Sequence, residues 1–137
     1  MYFGWKPFNK NSIISLKKIH IHIMDGYDIP KVDLIGKTDS YVRIKLNDRE
    51  FHEKTKVVDN SLNPVWNETI ILYSLCQKPY IQIELKGKST IKDQLIGTAN
   101  IELDDITSTK SKEITENLIP AKGMKKGGKI HLYIQIN

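Results

Sequence analysis

Apolar and polar residues alternate with a period of two in successive short stretches, and this alternation constrains the fold more than any other feature. In the first stretch, Ile19, Ile21 and Ile23 lie on one side, with His20 and His22 on the other. Successive side chains of a strand point to opposite faces, so this pattern predicts a half-buried strand. We predict eight such strands: KKIHIHIM, SYVRIKL, FHEKTKVV, TIILY, YIQIEL, LIGTANIEL, a weaker EITENLIP, and KIHLYIQI.

Turn-forming dipeptides separate these stretches, namely Asn47-Asp48, Asn60-Ser61, Asn63-Pro64 and Gly127-Gly128. No stretch carries the 3.6-residue apolar period of a long amphipathic helix. Half-buried strands joined by short turns predict an all-β fold. We expect an eight-stranded antiparallel β-sandwich, with one side of each sheet facing a shared core.

The length of 137 residues suits one domain with a full core. Residues 1–15 show no clean period and predict an N-terminal extension before a domain at 16–137. The single cysteine, Cys76, excludes an internal disulfide and fits a reducing compartment. No apolar run approaches the roughly 18 residues of a membrane span. We therefore predict a cytoplasmic, peripheral location.

The net charge is +5 and the isoelectric point is about 9.2. This favours an anionic partner, which charge alone leaves open among lipid headgroups, nucleic acid and acidic proteins. No nucleic-acid recognition motif accompanies the charge, so we expect no nucleic-acid partner. No nucleophile elbow or phosphate-cradling glycine loop occurs, so we predict that the chain is not an enzyme.

Three stretches resemble the C2 domain family: DIPKVDLIGKTDSYVRI, KTKVVDNSLNPVWNE and IELKGKSTIKDQLIGTANI. They occur in the usual order and spacing, and the resemblance covers roughly residues 16–137. It implies an eight-stranded sandwich with functional loops at one end. Because KKIHIHIM comes first and KIHLYIQI last, the strand order resembles the variant called type II.

Many members of this family bind calcium between their first and third loops, through acidic residues of both. In the first loop, Asp33 and Asp39 fall on the family positions. Calcium takes 6–8 oxygen ligands, so two carboxylates alone make a poor site. The third loop therefore decides whether a calcium site is complete.

In that third loop, counting back from Gly97, the expected acids fall on Lys86, Lys88 and Gln94, and Asp93 is one residue out of register. Ammonium groups are donors only and do not ligate a cation. We predict no cofactor, with calcium left open but not favoured. Any calcium site at Asp33, Asp39 and Asp93 is expected to be weak or absent.

Two fates are open for these lysines. In one, Lys86 or Lys88 pairs with Asp33 and Asp39, so that an internal ammonium group stands where the ion would lie. In the other, both lysines point into water. The two hypotheses make different predictions about the space between the first and third loops.

The predicted loop tips combine apolar and basic residues. The apolar ones are Val32, Leu34, Ile35 and Ile91, and the basic ones around them are Lys31, Lys37, Lys86, Lys88 and Lys92. Apolar tips ringed by cations suit insertion at an anionic membrane, where each basic residue contributes roughly 1 kcal/mol. The alternative is that Leu34 and Ile35 fold back under their loop.

A second basic feature lies on predicted strands, where Tyr41, Arg43 and Lys45 share one face and His52, Lys54 and Lys56 share another. C2 domains similar to those of conventional protein kinase C bind phosphoinositide headgroups in such a groove. The resemblance places Tyr41, Arg43, Lys54 and Lys56 on the family's groove positions, and Trp66 on the aromatic one. Alternatively, the aromatic residues only pack and the basic face is only solvated.

We therefore predict a monomeric, calcium-independent, peripheral membrane-targeting module. It would bind anionic phospholipid or phosphoinositide through the strand groove and the basic loop tips. The main alternative is a protein–protein interaction scaffold without lipid binding, marked by the aromatic extension or by the basic run Lys122, Lys125, Lys126 and Lys129. A lesser alternative is weak calcium-dependent phospholipid binding through Asp33 and Asp39.

Overall fold

The structure, a computed structural model, describes residues 16–32, 36–47, 52–76, 78–103 and 111–137. Within these ranges the chain forms strands and no helix, which confirms the predicted all-β class. The strands are β1 (Lys17–Tyr27), β2 (Ser40–Leu46), β3 (His52–Lys54), β4 (Val65–Ser74), β5 (Tyr80–Gly87), β6 (Gln94–Glu102), β7 (Ser111–Asn117), β8 (Ile119–Pro120) and β9 (Lys129–Ile136). The predicted N-terminal extension, residues 1–15, lies outside the described residues.

Two antiparallel sheets make up the sandwich. The four-stranded sheet has the order β4-β1-β9-β7 and the five-stranded sheet the order β3-β2-β5-β6-β8. In the first sheet, β1 pairs directly with β9, from Ile19 opposite Ile136 to Tyr27 opposite Lys129. The first and last described strands are therefore neighbours, in agreement with the circular order predicted for a type II sandwich.

The stretch predicted as one strand, EITENLIP, divides between the two sheets. β7 pairs with β9 in the four-stranded sheet, whereas β8 pairs with β6 in the other. Leu118 lies between them, is buried, and donates its backbone N–H to the Gly128 carbonyl at 3.0 Å. The chain thus crosses from one sheet to the other at Leu118, and the described residues form nine strand segments where eight strands were predicted.

The core lies between the sheets and consists mostly of isoleucine. Ile19, Ile21 and Ile23 of β1 are fully buried, as the alternation predicts. Fully burying such a side chain contributes about 1.5–3 kcal/mol, so these inward rows hold the sandwich together. They also fix the register, because a shift by one residue would turn the whole row into solvent.

Antiparallel pairing brings four connections to one end of the sandwich, which we call the loop end. They are residues 28–39, 55–64, 88–93 and 121–128, of which 33–35 are not described. Backbone hydrogen bonds tie the first three together, from Ser61 N–H to the Thr38 carbonyl at 2.9 Å and from Lys88 N–H to the Asp39 carbonyl at 2.7 Å. No helix long and apolar enough to cross a membrane occurs in the described part of the chain.

Candidate functional site

Asp39, predicted as a calcium ligand, stabilises the loop end through hydrogen bonds. One of its carboxylate oxygens accepts the backbone N–H of Asn60 at 2.6 Å, and the Asn60 side-chain oxygen accepts the N–H of Lys37 at 2.7 Å. The Asp39 carbonyl accepts the N–H of Lys88. Asp39 therefore links three connections. The other predicted ligand of this loop, Asp33, lies outside the described residues, as do Leu34 and Ile35.

Asp93 is held by donors on both of its oxygens. The Tyr41 hydroxyl donates to Oδ2 at 2.5 Å, and the backbone N–H of Ser89 donates to Oδ1 at 3.1 Å. The Lys88 ammonium group lies 3.9 Å from Oδ2. The hydrogen bond from Tyr41 is the main cause that lowers the pKa of Asp93, followed by the Ser89 N–H and then by Lys88 and Lys86.

The pKa of Tyr41, the donor in this hydrogen bond, is shifted in the opposite direction. Burial, followed by the hydrogen bond to Asp93, raises the pKa of Tyr41 to about 12. The phenol therefore stays protonated and the carboxylate stays charged across the physiological pH range. Tyr41 acts here as a donor that occupies a carboxylate oxygen at the start of β6.

The role of Asp33 in calcium binding stays a prediction, because this residue lies outside the described residues. Among the described residues, no group of three or more His, Cys, Asp or Glu side chains is placed to hold a metal ion. Asp39 and Asp93, the two predicted ligands that are described, both accept backbone hydrogen bonds. Both carboxylate oxygens of Asp93 accept a hydrogen bond, whereas one oxygen of Asp39 does.

A β-bulge shifts the pairing between β5 and β6 next to the third loop. Leu85 pairs with Gly97, but the next residue, Lys86, pairs with Leu95, so the spacing shifts between Leu85 and Lys86. Lys86 lies opposite Tyr41 on the outer face of the five-stranded sheet. It therefore does not point into the space between the first and third loops.

The hypothesis that an ammonium group pairs with Asp39 is also corrected. The Lys88 ammonium group has Asp93 as its carboxylate neighbour. Within the described ranges, no ion pair joins Lys86 or Lys88 to Asp39. The part of that hypothesis that concerns Asp33 stays a prediction.

The tip of the third loop presents an apolar side chain to solvent. Ile91 is 95% exposed, the largest exposure among the exposed large hydrophobic residues described. Lys92 beside it and Lys88 three residues earlier are both exposed. Val32, the described apolar residue of the first loop tip, instead packs against the core. The predicted combination of an apolar tip with cations therefore holds at Ile91 and not at Val32.

The predicted strand groove brings four of its residues together. Arg43 pairs with Lys54 and Lys45 with His52 between β2 and β3. The Lys54 ammonium group lies 5.8 Å from the centre of the Tyr41 ring, within the range of a cation–π contact. Tyr41 itself is only 6% exposed, so it forms the floor of this surface.

An acidic residue lies in the same groove. Glu84 of β5 is opposite Arg43, with its Oε1 atom 3.5 Å from the arginine Nε. Neither atom makes a hydrogen bond, so the contact is electrostatic only. The Arg43 guanidinium also lies 3.1 Å from His52 Nδ1. The centre of the groove therefore carries an internal ion pair, which lowers its attraction for an outside anion.

Two other predicted groove residues lie elsewhere. Trp66 is 6% exposed, packs in the core and donates its indole N–H to the Ser40 carbonyl at 3.1 Å. The groove position expected for Trp66 is therefore wrong, because the ring is buried between the sheets. Lys56 lies beyond the end of β3 and is exposed, and its backbone N–H donates to the Glu68 carboxylate at 2.6 Å.

An open depression of about 530 Å³ lies between the third loop and the connection from β8 to β9. Three lysines contribute to it, Lys86, Lys92 and Lys122. The rest of its lining is Asp93, Gln94, Leu95, Ala121 and Met124. The sequence prediction included Lys86 and Lys92 but placed Lys122 on a separate partner surface. The basic run at 122–129 was visible in the sequence, but its position against β6 depends on the fold.

Known proteins share this architecture and parts of this sequence. The C2 domain family profile matches residues 17–120. The chain belongs to the C2 domain family. Human myoferlin is 36% identical over 125 residues, which is 85% of this chain and 6% of myoferlin. A calcium-dependent lipid-binding protein of Arabidopsis thaliana is 28% identical over 103 residues, covering 74% of this chain and 20% of that protein.

Solved C2 domains share the fold of this C2 domain. A single C2 domain of plant extended synaptotagmin 1 superposes with a TM-score of 0.80 at 22% identity, covering 88% of this chain and 93% of that one. A calcium-bound structure of two C2 domains of extended synaptotagmin 2 gives a TM-score of 0.71 at 24% identity, covering 87% and 45%. The chain spans a fifth or less of the two curated relatives above.

The loop end of this C2 domain is basic. Its described connections contain more lysine than acid: Lys31, Lys37, Lys56, Lys88, Lys92, Lys122, Lys125 and Lys126 against Asp28, Asp39, Asp59 and Asp93. Lys126 is paired with Asp28 at 2.6 Å, which lowers the pKa of that carboxyl group. The excess of cations gives this end a positive potential that attracts anions.

Proposed function

We propose that this C2 domain is a peripheral membrane module that docks its loop end on anionic phospholipid without calcium. The observation that carries the proposal is the 95% exposed Ile91 at a loop tip with Lys88 and Lys92 beside it. Transfer of an isoleucine side chain out of water contributes about 1.5–3 kcal/mol. Each lysine near an anionic surface adds roughly 1 kcal/mol before screening.

Calcium independence is part of the proposal because the described carboxylates already accept hydrogen bonds within the fold. Asp93 accepts hydrogen bonds from Tyr41 and Ser89 and has Lys88 nearby, and Asp39 accepts one from Asn60. A calcium ion would have to displace these donors while collecting 6–8 oxygen ligands. The fixed ammonium groups supply positive charge at this end in place of a recruited ion.

The strand groove contributes a secondary anion contact. Lys54 is exposed, and Lys45 and Arg43 are partly exposed on the same surface. Charge-assisted hydrogen bonds from such groups suit a phosphorylated headgroup. Because Glu84 is paired with Arg43, we assign the groove a smaller share of the binding than the loop end.

Relatives give partial support to this function. One is named a calcium-dependent lipid-binding protein, which supports lipid as the class of partner. The same name makes calcium dependence the result against which the proposal has to be tested. A cytoplasmic, monomeric state and the absence of catalysis belong to the proposal as well.

Vesicle sedimentation tests the proposal. The vesicles are neutral lipid, phosphatidylserine, and phosphatidylserine with phosphatidylinositol bisphosphate, each with calcium or with chelator. We expect binding to both anionic preparations that is unchanged by chelator. Binding that requires calcium would contradict the calcium-independent mechanism, and would mean that Asp39 and Asp93 take part in holding the ion.

A pair of variants tests the role of the tip. Ile91→Ser removes the apolar group and is expected to weaken vesicle binding by about tenfold. The matched control is Leu75→Ser, since Leu75 is also exposed, at 57%, but lies after β4 at the opposite end of the sandwich. Equal loss in both variants would contradict docking through the loop end.

A second candidate function is a protein-interaction scaffold, which one observation favours. The outer face of the four-stranded sheet exposes Ile71 and Tyr73 of the edge strand β4, at 44% and 51%, and Tyr133 of β9 at 38%. An apolar patch on an edge strand is typical of an interaction surface. Absence of binding to every vesicle preparation would favour this function over lipid docking.

A further inference from the structure

We propose that the depression lined by Lys86, Lys92 and Lys122 binds the phosphomonoester group of a membrane-lipid headgroup. This inference rests on the proposed function, and it names the ligand chemistry at the loop end. The site differs from the strand groove, because Lys122 comes from the connection between β8 and β9.

Close backbone packing fixes the position of Lys122. A Cβ atom on Gly127 would overlap the Leu118 carbonyl oxygen, and one on Gly97 would lie 2.6 Å from the Gly127 carbonyl oxygen. Only glycine permits this approach, so the connection lies directly against β6. The N–H of Ala121 then donates to the Ile96 carbonyl at 2.9 Å. Lys122 is the next residue and is carried to the rim of the depression.

The second and third lysines come from the five-stranded sheet and its loop. Lys86 lies on the outer face because β5 alternates without interruption between partly exposed and buried residues up to Gly87. Lys92 lies in the loop before β6 and is exposed. The three lysines therefore line one space from three separate segments of the chain. Converging cations of this kind can surround a phosphate, whereas a row of lysines on one strand contacts it from one side.

One acidic residue, Asp93, also lines the depression. Asp93 is charged, but its Oδ2 accepts the Tyr41 hydroxyl and its Oδ1 accepts the Ser89 N–H, with Lys88 nearby. These donors and the Lys88 ammonium group partly offset its negative charge. Three ammonium groups against one such carboxylate leave a positive space, and a dianionic phosphomonoester matches it better than a monoanionic phosphodiester does.

The size and lining of the depression favour a ligand larger than a free phosphate ion. Its volume of about 530 Å³ lies within the range of about 300–1,000 Å³ common to small-molecule sites. Leu95, Ala121 and Met124 provide an apolar side and Gln94 an amide. A phosphorylated polyol, with ring carbons and hydroxyls beside its phosphates, fits this mixture.

Isothermal titration calorimetry with inositol trisphosphate and, separately, inorganic phosphate measures the site in solution. We expect Lys122→Ala to weaken inositol trisphosphate binding by about tenfold, the loss typical of one charge-assisted hydrogen bond. The control is Lys125→Ala, which removes the same charge from the same connection but from a residue outside the lining. Its affinity should fall by less than about twofold, as for a distant surface charge. Equal loss in both variants would overturn the site in favour of diffuse attraction.

Vesicles of phosphatidic acid and of phosphatidylserine, matched in surface charge, test the lipid source. Stronger binding to phosphatidic acid that is lost in Lys122→Ala and kept in Lys125→Ala supports a phosphomonoester lipid. Vesicle binding that is equal for both lipids and both variants, with no binding of inositol trisphosphate, overturns this site while the membrane function stands. Lys122-dependent binding of inositol trisphosphate without any vesicle binding would contradict the membrane function and the lipid source, and would leave a site for a soluble phosphate compound.

A second variant guards against a folding artefact. Lys92→Ala alters a different segment of the same lining and should reproduce the loss seen with Lys122→Ala. Thermal unfolding of each variant should match the unmodified protein, because both side chains are exposed. A normal affinity in Lys92→Ala, with its unfolding unchanged, would contradict the three-lysine arrangement.

Discussion

The Tyr41 hydroxyl donates a 2.5 Å hydrogen bond to the Asp93 carboxylate. This bond joins the outer face of β2 to the last residue before β6, across the intervening strand β5. It unites three parts of one surface, since Lys54 lies over the Tyr41 ring, Lys88 lies near the carboxylate, and Asp93 lines the lysine depression.

Removal of that hydroxyl should lower stability in a pH-dependent way. The pKa of Asp93 is lowered in the folded protein, so its contribution is present above the unfolded pKa and is lost as the pH falls through the folded one. We expect Tyr41→Phe to lower Tm by about 3 °C near neutral pH and by less below about pH 3. Circular dichroism melting curves at both pH values measure this. Tyr73→Phe, on the exposed face of β4, is the control, and an equal shift there would contradict the role of the bond.

The regular alternation along β5 separates the effects of Lys86 and Lys88 on calcium binding. Lys88 has its N–H on the Asp39 carbonyl and its ammonium group near Asp93, whereas Lys86 lies on the outer face. We expect Lys88→Asp to raise calcium affinity at least about tenfold over Lys86→Asp, about 1.4 kcal/mol. Calcium titration calorimetry compares the two single variants. Equal gains would contradict the placement of Lys86 on the outer face, away from Asp39.

Gly127 should be sensitive to the smallest side chain. Alanine there would force its Cβ into the Leu118 carbonyl oxygen, so the backbone has to move. We expect Gly127→Ala to lower the free energy of unfolding by about 1–3 kcal/mol. Urea denaturation measures it. Gly123→Ala is the comparison, because its Cβ would meet nothing within 4 Å and only its positive φ of 88° opposes the change, at about 1 kcal/mol.

Trp66 should matter for stability and not for lipid contact. Its ring is in the core and its indole N–H is bonded to the Ser40 carbonyl. Trp66→Phe removes this donor and part of the packing, so we expect a loss of about 1–3 kcal/mol. Vesicle affinity of the folded variant should be unchanged. A lower affinity together with unchanged stability would restore Trp66 to the binding surface.

Alternation in the sequence was sufficient to predict the sandwich, because buried residues repeat at every second position through most of β1, β5 and β9. Ile19, Ile21 and Ile23 are buried as that pattern requires. It could not show that EITENLIP divides at Leu118, since a strand that changes sheets keeps apolar residues along its length. Only the pairing of β7 with β9 and of β8 with β6 shows the change.

The site was less predictable from the sequence, because it depends on contacts between residues that are distant along the chain. Counting back from Gly97 gave Lys86 a position in the third-loop pattern, but not the face of β5 on which it lies. Glu84 was visible on the polar side of its strand, but its contact with Arg43 depends on which strands are neighbours. Lys122 is close to Lys86 in space and distant in sequence, and no local pattern reports such proximity.

The crossing at Leu118 affects how far the two sheets can move relative to each other near the loop end. A sandwich whose sheets touch only through side chains can shear, one layer sliding over the other. Here the backbone passes from the first layer to the second within a single buried residue, and its N–H is bonded to Gly128. Sliding would have to separate the short strand β8 from β6 or β7 from β9. The crossing therefore opposes relative movement of the two sheets beside the connection that carries Lys122.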